Sequence, residues 1–185
     1  MAKSVNNIVT HGLSGKVGNL LVFSQRKGKT IVSMAPKKSN KVTDKQKEHR
    51  VKFQEAIIYS KAARQDPNLK PQYEADAKEQ GLTAHNIAVA DFLKAPKIES
   101  IDLSGYKGKK NDPIKIKAYD DFKVEKVTVK IENADGTLVE EGNAAVEGLY
   151  WVYKAKENNA DLSGDKITVR AYDIPDNMAE KQEIL

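Results

Sequence analysis

The sequence contains no cysteine, three histidines and a single tryptophan in 185 residues. The absence of cysteine excludes disulfide bonds, thiolate metal sites and a cysteine nucleophile. The histidines, His11, His49 and His85, are far apart and lack the i, i+4 spacing with which a helix presents two imidazoles to zinc. The sequence therefore predicts no thiolate or histidine metal site.

Long apolar runs are also missing. Residues 1–16 lack the central apolar segment of a signal peptide, and the longest apolar run nearby is residues 20–23. No segment approaches the 18 or more apolar residues of a membrane-spanning helix. We therefore expect a chain without a membrane span that is cytoplasmic at synthesis.

Recognisable catalytic arrangements are absent as well. Glu140 and Glu141 are neighbours on a predicted strand, so their carboxylates point to opposite faces. No serine lies in a G-x-S-x-G elbow. The segment Gly28-Lys29-Thr30 resembles the end of a phosphate-binding loop, but Phe23 stands where that motif needs glycine and a strand is expected next. The sequence predicts a non-enzymatic protein without a cofactor.

Charge is plentiful and unevenly placed, with a formal net charge of +5. Residues 1–95 contain 17 Lys and Arg against 8 Asp and Glu, which gives +9. Residues 96–185 contain 14 against 18, which gives −4. Opposite signs in the two halves indicate two domains, residues 1–95 and 96–185, of which the first suits an anionic partner.

Residues 20–34 have the pattern of a β-hairpin. Apolar residues at 20–23 and 31–34 flank the turn-like segment 26–29, in which Gly28 can adopt a positive φ angle. Two strands alone are marginal in water, so the apolar side of the hairpin needs a covering layer. We expect the helices that follow to supply it.

Three helices are predicted after the hairpin. The first spans residues 44–64, with Thr43 as N-cap and Gln46 placed to close a capping box. The second begins at Pro71 and ends at Gly81. The third, residues 83–94, is apolar on most sides and should be largely buried. The first domain is therefore expected to be an α+β module of one hairpin and about three helices.

From Pro96 onward the apolar residues alternate with a period of two. Seven short strands with turns every 8–12 residues indicate an all-β antiparallel sandwich, with Trp151 in its core. The predicted strands are residues 97–103, 113–120, 124–132, 137–141, 149–156, 166–173 and 178–185.

Two runs in this second domain, IKIKAYDDFKVEKVTVKIENADG and ITVRAYDIPDN, resemble bacterial immunoglobulin-like domains that serve as stalks and accessory modules. In that family the second run often ends in an Asp-x-x-Gly-Asn turn, whereas Asp176 here takes the place of the glycine before Asn177. The resemblance covers residues 97–185 and implies an immunoglobulin-like sandwich.

The pattern GKVGNLLVFSQRKGKTIV, followed by Thr43, Gln46, Arg50 and Phe53, resembles the N-terminal region of uncharacterised bacterial families, some of them prophage-associated. Those proteins often carry an arginine after the second strand, where this chain has Ser33. This resemblance implies a family relationship for about residues 12–55 and no activity.

Several oxygen-bearing side chains follow the similar strands IKAYD and VRAYD and are expected to gather at one end of the sandwich. Calcium binds six to eight such oxygens, but these loops lack the regular Asp-x-Asp spacing of dedicated sites. Solvated loop carboxylates are the alternative, and the sequence assigns no metal. The calcium candidates are Asp120, Asp121, Asp173, Asp176 and Asn177.

The clearest functional signal is a cluster of basic residues in the hairpin and the first helix. They are Lys16, Arg26, Lys27, Lys29, Lys37, Lys38, Lys41, Lys45, Lys47, Arg50 and Lys52. We predict a non-enzymatic binding or assembly protein, in which this basic module docks on an acidic protein partner or on copies of itself and the second domain is a spacer.

Nucleic-acid binding through the hairpin and the first helix is the alternative hypothesis. Lysine and arginine that neutralise phosphates would give an affinity that falls with salt. Against it, few aromatic residues are interleaved for base stacking, and no nucleic-acid motif is recognised. A basic face that is merely solvated is the third interpretation.

Overall fold

A computed structural model describes residues 2–4, 8–26, 28–37 and 42–185. The chain divides into two compact units, Met1–Gln46 and Lys47–Leu185. The fold is a mixed α+β fold with three helices and three antiparallel sheets in the described residues. The domain boundary expected between residues 95 and 96 lies inside the second unit, so the helices and the later strands belong together there.

The first unit contains a four-stranded antiparallel sheet. Its strands are β1 (Ala2–Ser4), β2 (Gly15–Val17), β3 (Leu21–Arg26) and β4 (Lys29–Met34), in the order β1-β4-β3-β2. The predicted hairpin is confirmed by the pairing of β3 with β4. It closes at Arg26 and Lys29, and Gly28 in the turn has a φ of 72°.

Three apolar side chains on one side of this sheet are exposed to solvent. Val17 is 59% exposed and Met34 is 79% exposed, and Leu21 between them is also exposed. The helices from Lys47 onward belong to the other compact unit, so a cover supplied by them stays a prediction. The sheet gains width from β1 and β2, which are too short to produce an alternating sequence pattern.

The three helices are α1 (Asp44–Ala63), α2 (Leu69–Gln80) and α3 (Ala84–Leu93). The predicted capping box of α1 is confirmed, because Gln46 N–H donates to Thr43 Oγ1 and Thr43 N–H donates to Gln46 Oε1. Within the described part of the chain, none of the helices combines the length and hydropathy that crossing a membrane requires.

Helix α2 begins two residues before the predicted Pro71. The Asp66 carboxylate accepts the N–H groups of Asn68 at 2.7 Å and Leu69 at 3.0 Å, and thus satisfies free donors at the helix start. The helix ends as predicted at Gly81, which adopts a left-handed conformation.

A small hydrophobic cluster joins the helices to the strands of the second unit. Its buried members are Ala63, Tyr73, Ala77, Ile87 and Ala88. Phe122, from the loop after a strand, packs against this cluster and stacks on Tyr73 with ring centroids 4.4 Å apart. This packing explains why the compact unit does not end where the helical sequence ends.

Eight strands form the two sheets of the second unit. In chain order they are β5 (Lys97–Asp102), β6 (Pro113–Tyr119), β7 (Val124–Glu132), β8 (Leu138–Asn143), β9 (Ala145–Glu147), β10 (Tyr150–Lys154), β11 (Lys166–Asp173) and β12 (Met178–Ile184). One sheet has the order β5-β6-β10-β9 and the other β12-β11-β7-β8, with every neighbouring pair antiparallel.

Both sheets contribute to one hydrophobic core. Trp151 packs against this core but is only partly buried, and Tyr153, which is 1% exposed, is the more deeply buried aromatic residue. The expected alternation along β6, β7 and β11 accounts for most of the core. The buried members are Tyr106, Ile114, Ile116, Val127, Val129, Ile131, Ala144, Tyr153, Ala155, Ile167, Val169 and Ala171.

Candidate functional site

Three aspartates converge inside the second unit. Asp91 lies on α3, Asp120 follows β6 directly, and Asp173 is the last residue of β11. One carboxyl oxygen from each lies within 4.8 Å of the others. Asp91 is 2% exposed and Asp173 is 1% exposed, while Asp120 is half-buried. The ends of two strands and one helix thus form a compact carboxylate cluster.

Local turns hold the two strand-end aspartates in place. Asp120 Oδ2 accepts the N–H groups of Phe122 and Lys123 at 3.1 and 3.2 Å. Asp173 Oδ1 accepts the N–H of Asn177 at 2.7 Å. Aspartate commonly accepts backbone N–H groups two or more residues later, so each side chain closes the turn that ends its own strand.

Asp91 is held by Tyr73, which is itself hydrogen-bonded to Tyr59. The Tyr73 hydroxyl donates to Asp91 Oδ2 at 2.5 Å, and the Tyr59 hydroxyl lies 2.8 Å from that of Tyr73. Asp91 Oδ1 is buried and has no hydrogen-bond partner among the described residues. Burying an acceptor without a donor costs free energy, and most buried polar atoms in proteins are hydrogen-bonded, so Oδ1 is an exception.

The Asn177 side-chain amide joins the cluster to the helix. It donates to Asp173 Oδ2 at 2.8 Å and to the backbone carbonyl oxygens of Asp91 and Lys94, each at 3.1 Å. The β11–β12 turn is therefore fastened to the C-terminal end of α3.

The electrostatics of the cluster disfavour three negative charges. Burial raises the pKa of Asp91 to about 7; the Tyr73 hydrogen bond lowers it, and the Asp173 and Asp120 carboxylates raise it. Burial also raises the pKa of Asp173, against hydrogen bonds from Asn177 that lower it. No lysine or arginine in the described ranges forms a salt bridge with any of the three aspartates.

A solvent-accessible cavity adjoins the cluster. It has a volume of about 420 Å³ and is lined by Lys94, Ala95, Lys97, Tyr119, Asp120 and Asp121. Asp120 belongs to both the cavity wall and the cluster. Water or a small ion can therefore approach the carboxylates from this side.

The structure brings together only some of the calcium candidates. Asp120 and Asp173 lie in the cluster, and Asn177 hydrogen-bonds to it. Asp121 is exposed and forms a salt bridge with Lys94. Asp176 is exposed in the turn at a φ of 64°, outside the three-aspartate cluster.

Sequence reasoning missed Asp91. It is the single acidic residue on a mostly apolar helix, and no motif in the sequence marks it. The same apolar surroundings are the signal that could have identified it, because a helix buried on most sides has little room for a solvated carboxylate.

Three of the predicted basic residues share one face of the first sheet. Lys16 pairs with Val22, and Arg26 pairs with Lys29 across the hairpin. Val22 and Arg26 are four residues apart on β3, so they point to the same side. Lys16, Arg26 and Lys29 are all exposed and form what we call the basic face.

The other basic candidates are distributed differently. Lys37 and Lys45 are exposed in the first unit, whereas Lys47, Arg50 and Lys52 are exposed on the part of α1 that belongs to the second unit. The remaining candidates, Lys27, Lys38 and Lys41, lie outside the described residues.

Positive charge is more concentrated in the first observed unit, which carries +8 in 46 residues, than in the first expected domain, which carries +9 in 95 residues. Residues 1–46 contain nine Lys and Arg against one Asp, which gives +8. Residues 47–185 contain 22 Lys and Arg against 25 Asp and Glu, which gives −3. The net charge of the first unit, +8, therefore exceeds the +5 of the whole chain.

No function can be transferred to this chain by similarity. Comparisons with protein-family models, with curated proteins and with solved structures find no match. The resemblances to immunoglobulin-like domains and to prophage-associated families stay predictions.

Proposed function

We propose that the chain is a non-enzymatic binding or assembly protein whose first unit docks on an acidic protein partner. The observation that carries this proposal is the basic face, in which Lys16, Arg26 and Lys29 project from one side of a sheet within a unit of charge +8. A concentration of one sign of charge attracts an oppositely charged partner and accelerates its association.

Exposed apolar side chains on the opposite face favour a protein as the partner. Val17 pairs with Leu21, and Leu21 pairs with Met34, so the three side chains form a continuous stripe across the sheet. All three are exposed. Apolar surface of this kind is typical of protein interaction sites and adds little to phosphate contacts.

Charge also argues against docking between two copies of the first unit. Two surfaces that each belong to a unit of charge +8 repel one another at low salt. An acidic surface on a different protein removes this repulsion. The proposal therefore takes the acidic partner in preference to self-association.

The second unit is proposed to contain an immunoglobulin-like spacer. Its sheet orders, β5-β6-β10-β9 and β12-β11-β7-β8, correspond to A-B-E-D and to G-F-C with an additional strand beside C. The common core between the sheets supports the same assignment. Such a module would space the docking unit from other parts of an assembly, an argument by analogy of fold.

Nucleic-acid binding is the second candidate, because the same basic face could contact successive phosphates. Phe23 is the one aromatic residue in residues 1–46, and it is half-buried. The first unit thus offers no platform on which bases could stack.

Fluorescence anisotropy of the full chain tests the two candidates. The probes are a labelled peptide of alternating glutamate and leucine, a random DNA duplex and a random single strand, at about 50 mM and about 200 mM salt. We expect the peptide to bind at low salt. We expect the triple variant K16A/R26A/K29A to weaken peptide binding about tenfold, as the loss of three exposed ion pairs implies.

The matched control is K107A/K109A/K110A, which removes the same charge from exposed lysines of the second unit. It should leave peptide affinity unchanged. If the chain prefers DNA to the peptide, and K16A/R26A/K29A loses this preference while the control variant keeps it, then nucleic acid replaces the acidic protein as the proposed partner. Absence of binding by all three probes at low salt would reject both candidates, and a dimer in sedimentation would restore self-association.

A further inference from the structure

We propose that Asp91, Asp120 and Asp173 bind one calcium ion, which links α3 to the ends of β6 and β11. This inference concerns the second unit and goes beyond the docking function proposed for the first. It assigns a role to the one buried cluster of carboxylates found among the described residues.

The spacing of the carboxylates fits a single ion. Calcium lies 2.3–2.6 Å from its oxygen ligands, so two oxygens on one ion can be separated by at most about 5.2 Å. One oxygen from each aspartate lies within 4.8 Å of the other two. All three can therefore belong to one coordination shell.

The unpartnered oxygen of Asp91 is an independent sign of a missing ligand. The residue is 2% exposed, its Oδ2 accepts from Tyr73, and its Oδ1 has no donor. One oxygen of the Asp91 carboxyl is among the three clustered atoms, so this carboxyl lies beside those of Asp120 and Asp173. A cation bound to the Asp91 carboxyl through Oδ1 would remove the cost of a buried unpaired acceptor.

The chemistry of the donors selects a hard divalent cation. The cluster offers only oxygen ligands, which suit calcium or magnesium rather than zinc. Calcium tolerates irregular geometry and takes six to eight oxygens, whereas magnesium requires a near-octahedral shell. The carboxylates can contribute three to six of those oxygens, depending on whether each binds through one or both oxygens, and the adjoining cavity of about 420 Å³ admits water for the rest.

The same ion would connect parts of the chain that are far apart in sequence. Asp91 is on α3, Asp120 directly follows β6 of one sheet, and Asp173 ends β11 of the other. Calcium would therefore stabilise the attachment of the helices to the β-structure. A spacer that becomes more rigid in calcium is the functional consequence.

Calorimetric titration and thermal unfolding of the full chain test the inference. The protein is freed of metal with EDTA, exchanged into chelator-free buffer, and titrated with calcium chloride alone or magnesium chloride alone. We expect one calcium per chain. At about 100 times the dissociation constant, the Tm should rise by about 5–10 °C, as linkage predicts for a unit of this size.

The variants D91N and D173N should lose this calcium response. The matched control is D121N, which removes a carboxylate adjacent to Asp120 that pairs with Lys94 instead of joining the cluster. D121N should respond to calcium like the original chain. D120N, at a half-buried position, provides a further variant if either buried substitution prevents folding.

Absence of calcium binding by the folded original chain would overturn the inference, and a proton shared between the carboxylates would then explain the unpartnered oxygen. An unchanged response in D91N, D173N and D120N would also overturn it, as would loss of the response in D121N. A response to magnesium without one to calcium would contradict the assigned ion.

Discussion

Asp91 occupies a position that is unfavourable for an ionised carboxylate. It is 2% exposed, it lies beside Asp120 and Asp173, and the hydroxyl that donates to it is the neutral one of Tyr73. Its pKa is raised to about 7, whereas aspartate in an unfolded chain titrates near 3.9. Between these two pH values the folded state retains a proton that the unfolded state has lost.

This difference predicts how stability depends on pH in the absence of divalent ions. In EDTA, the contribution of Asp91 to the free energy of unfolding should fall as pH rises from about 4 to about 7. This contribution should fall by at most about 1.4 kcal/mol per pH unit, because the unfolded state binds fewer protons in this range. The raised pKa of Asp173 acts in the same direction.

Urea denaturation followed by circular dichroism at several pH values provides the measurement. Subtracting the unfolding free energy of D91N from that of the original chain at each pH isolates Asp91 from carboxylates whose pKa is lowered, such as Asp112. This difference in unfolding free energy between the original chain and D91N should decrease as pH rises from about 4 to about 7. A difference that increases, or one that does not change, would show that Asp91 is ionised at acidic pH.

The residues of the carboxylate cluster differ in how far the sequence could predict them. Asp120 directly follows β6 and Asp173 ends β11, two strands of similar sequence, and the two carboxylates come close together. Asp91 is contributed by tertiary packing of a helix, which no local pattern encodes. Two of the three carboxylates were therefore accessible to sequence reasoning, and the third was not.

At the scale of elements, long alternating segments were predicted best. The bounds predicted for β7 and β11 agree with the structure, because each places apolar residues on one face over eight or nine positions. Three-residue strands such as β1, β2 and β9 contain too few positions to show any period. These short strands form by pairing with a longer neighbouring strand, and that pairing depends on contacts across the whole sheet.

Helix α3 depends on its N-cap residue, Thr83, as well as on its apolar faces. The Thr83 hydroxyl accepts the N–H of Asn86 at 3.2 Å, which satisfies one of the free donors at the helix start. Replacing Thr83 with alanine should lower the free energy of unfolding by about 1 kcal/mol. The serine variant T83S keeps the acceptor oxygen and should retain most of the stability.

Urea denaturation of T83A, T83S and the original chain under the same conditions checks this prediction. Thr83 is exposed, so its methyl group adds little packing. Equal losses of unfolding free energy in T83A and T83S would indicate that packing, and not capping, matters at this position. An unchanged stability in T83A would indicate that the hydrogen bond contributes nothing to α3.

At the scale of the whole molecule, the main feature is the unequal division of charge. The compact unit of residues 1–46 has a formal charge of +8, and residues 47–185 have −3. Sequence patterns indicated a basic first part, but the change of period at Pro96 placed the boundary after the helices. Packing of Phe122 on Tyr73 connects those helices with the strands, and this long-range contact is invisible in a local pattern.

The central claim is that the basic face of the first unit is the docking surface. Amide chemical-shift mapping of the isotope-labelled full chain with the glutamate–leucine peptide tests it most directly, with the K107A/K109A/K110A protein as a control. We predict shifts in β2, β3 and β4 that diminish in K16A/R26A/K29A, and unperturbed amides in β6, β7 and β11. Shifts confined to the strands of the second unit, or no shifts at low salt, would contradict the claim.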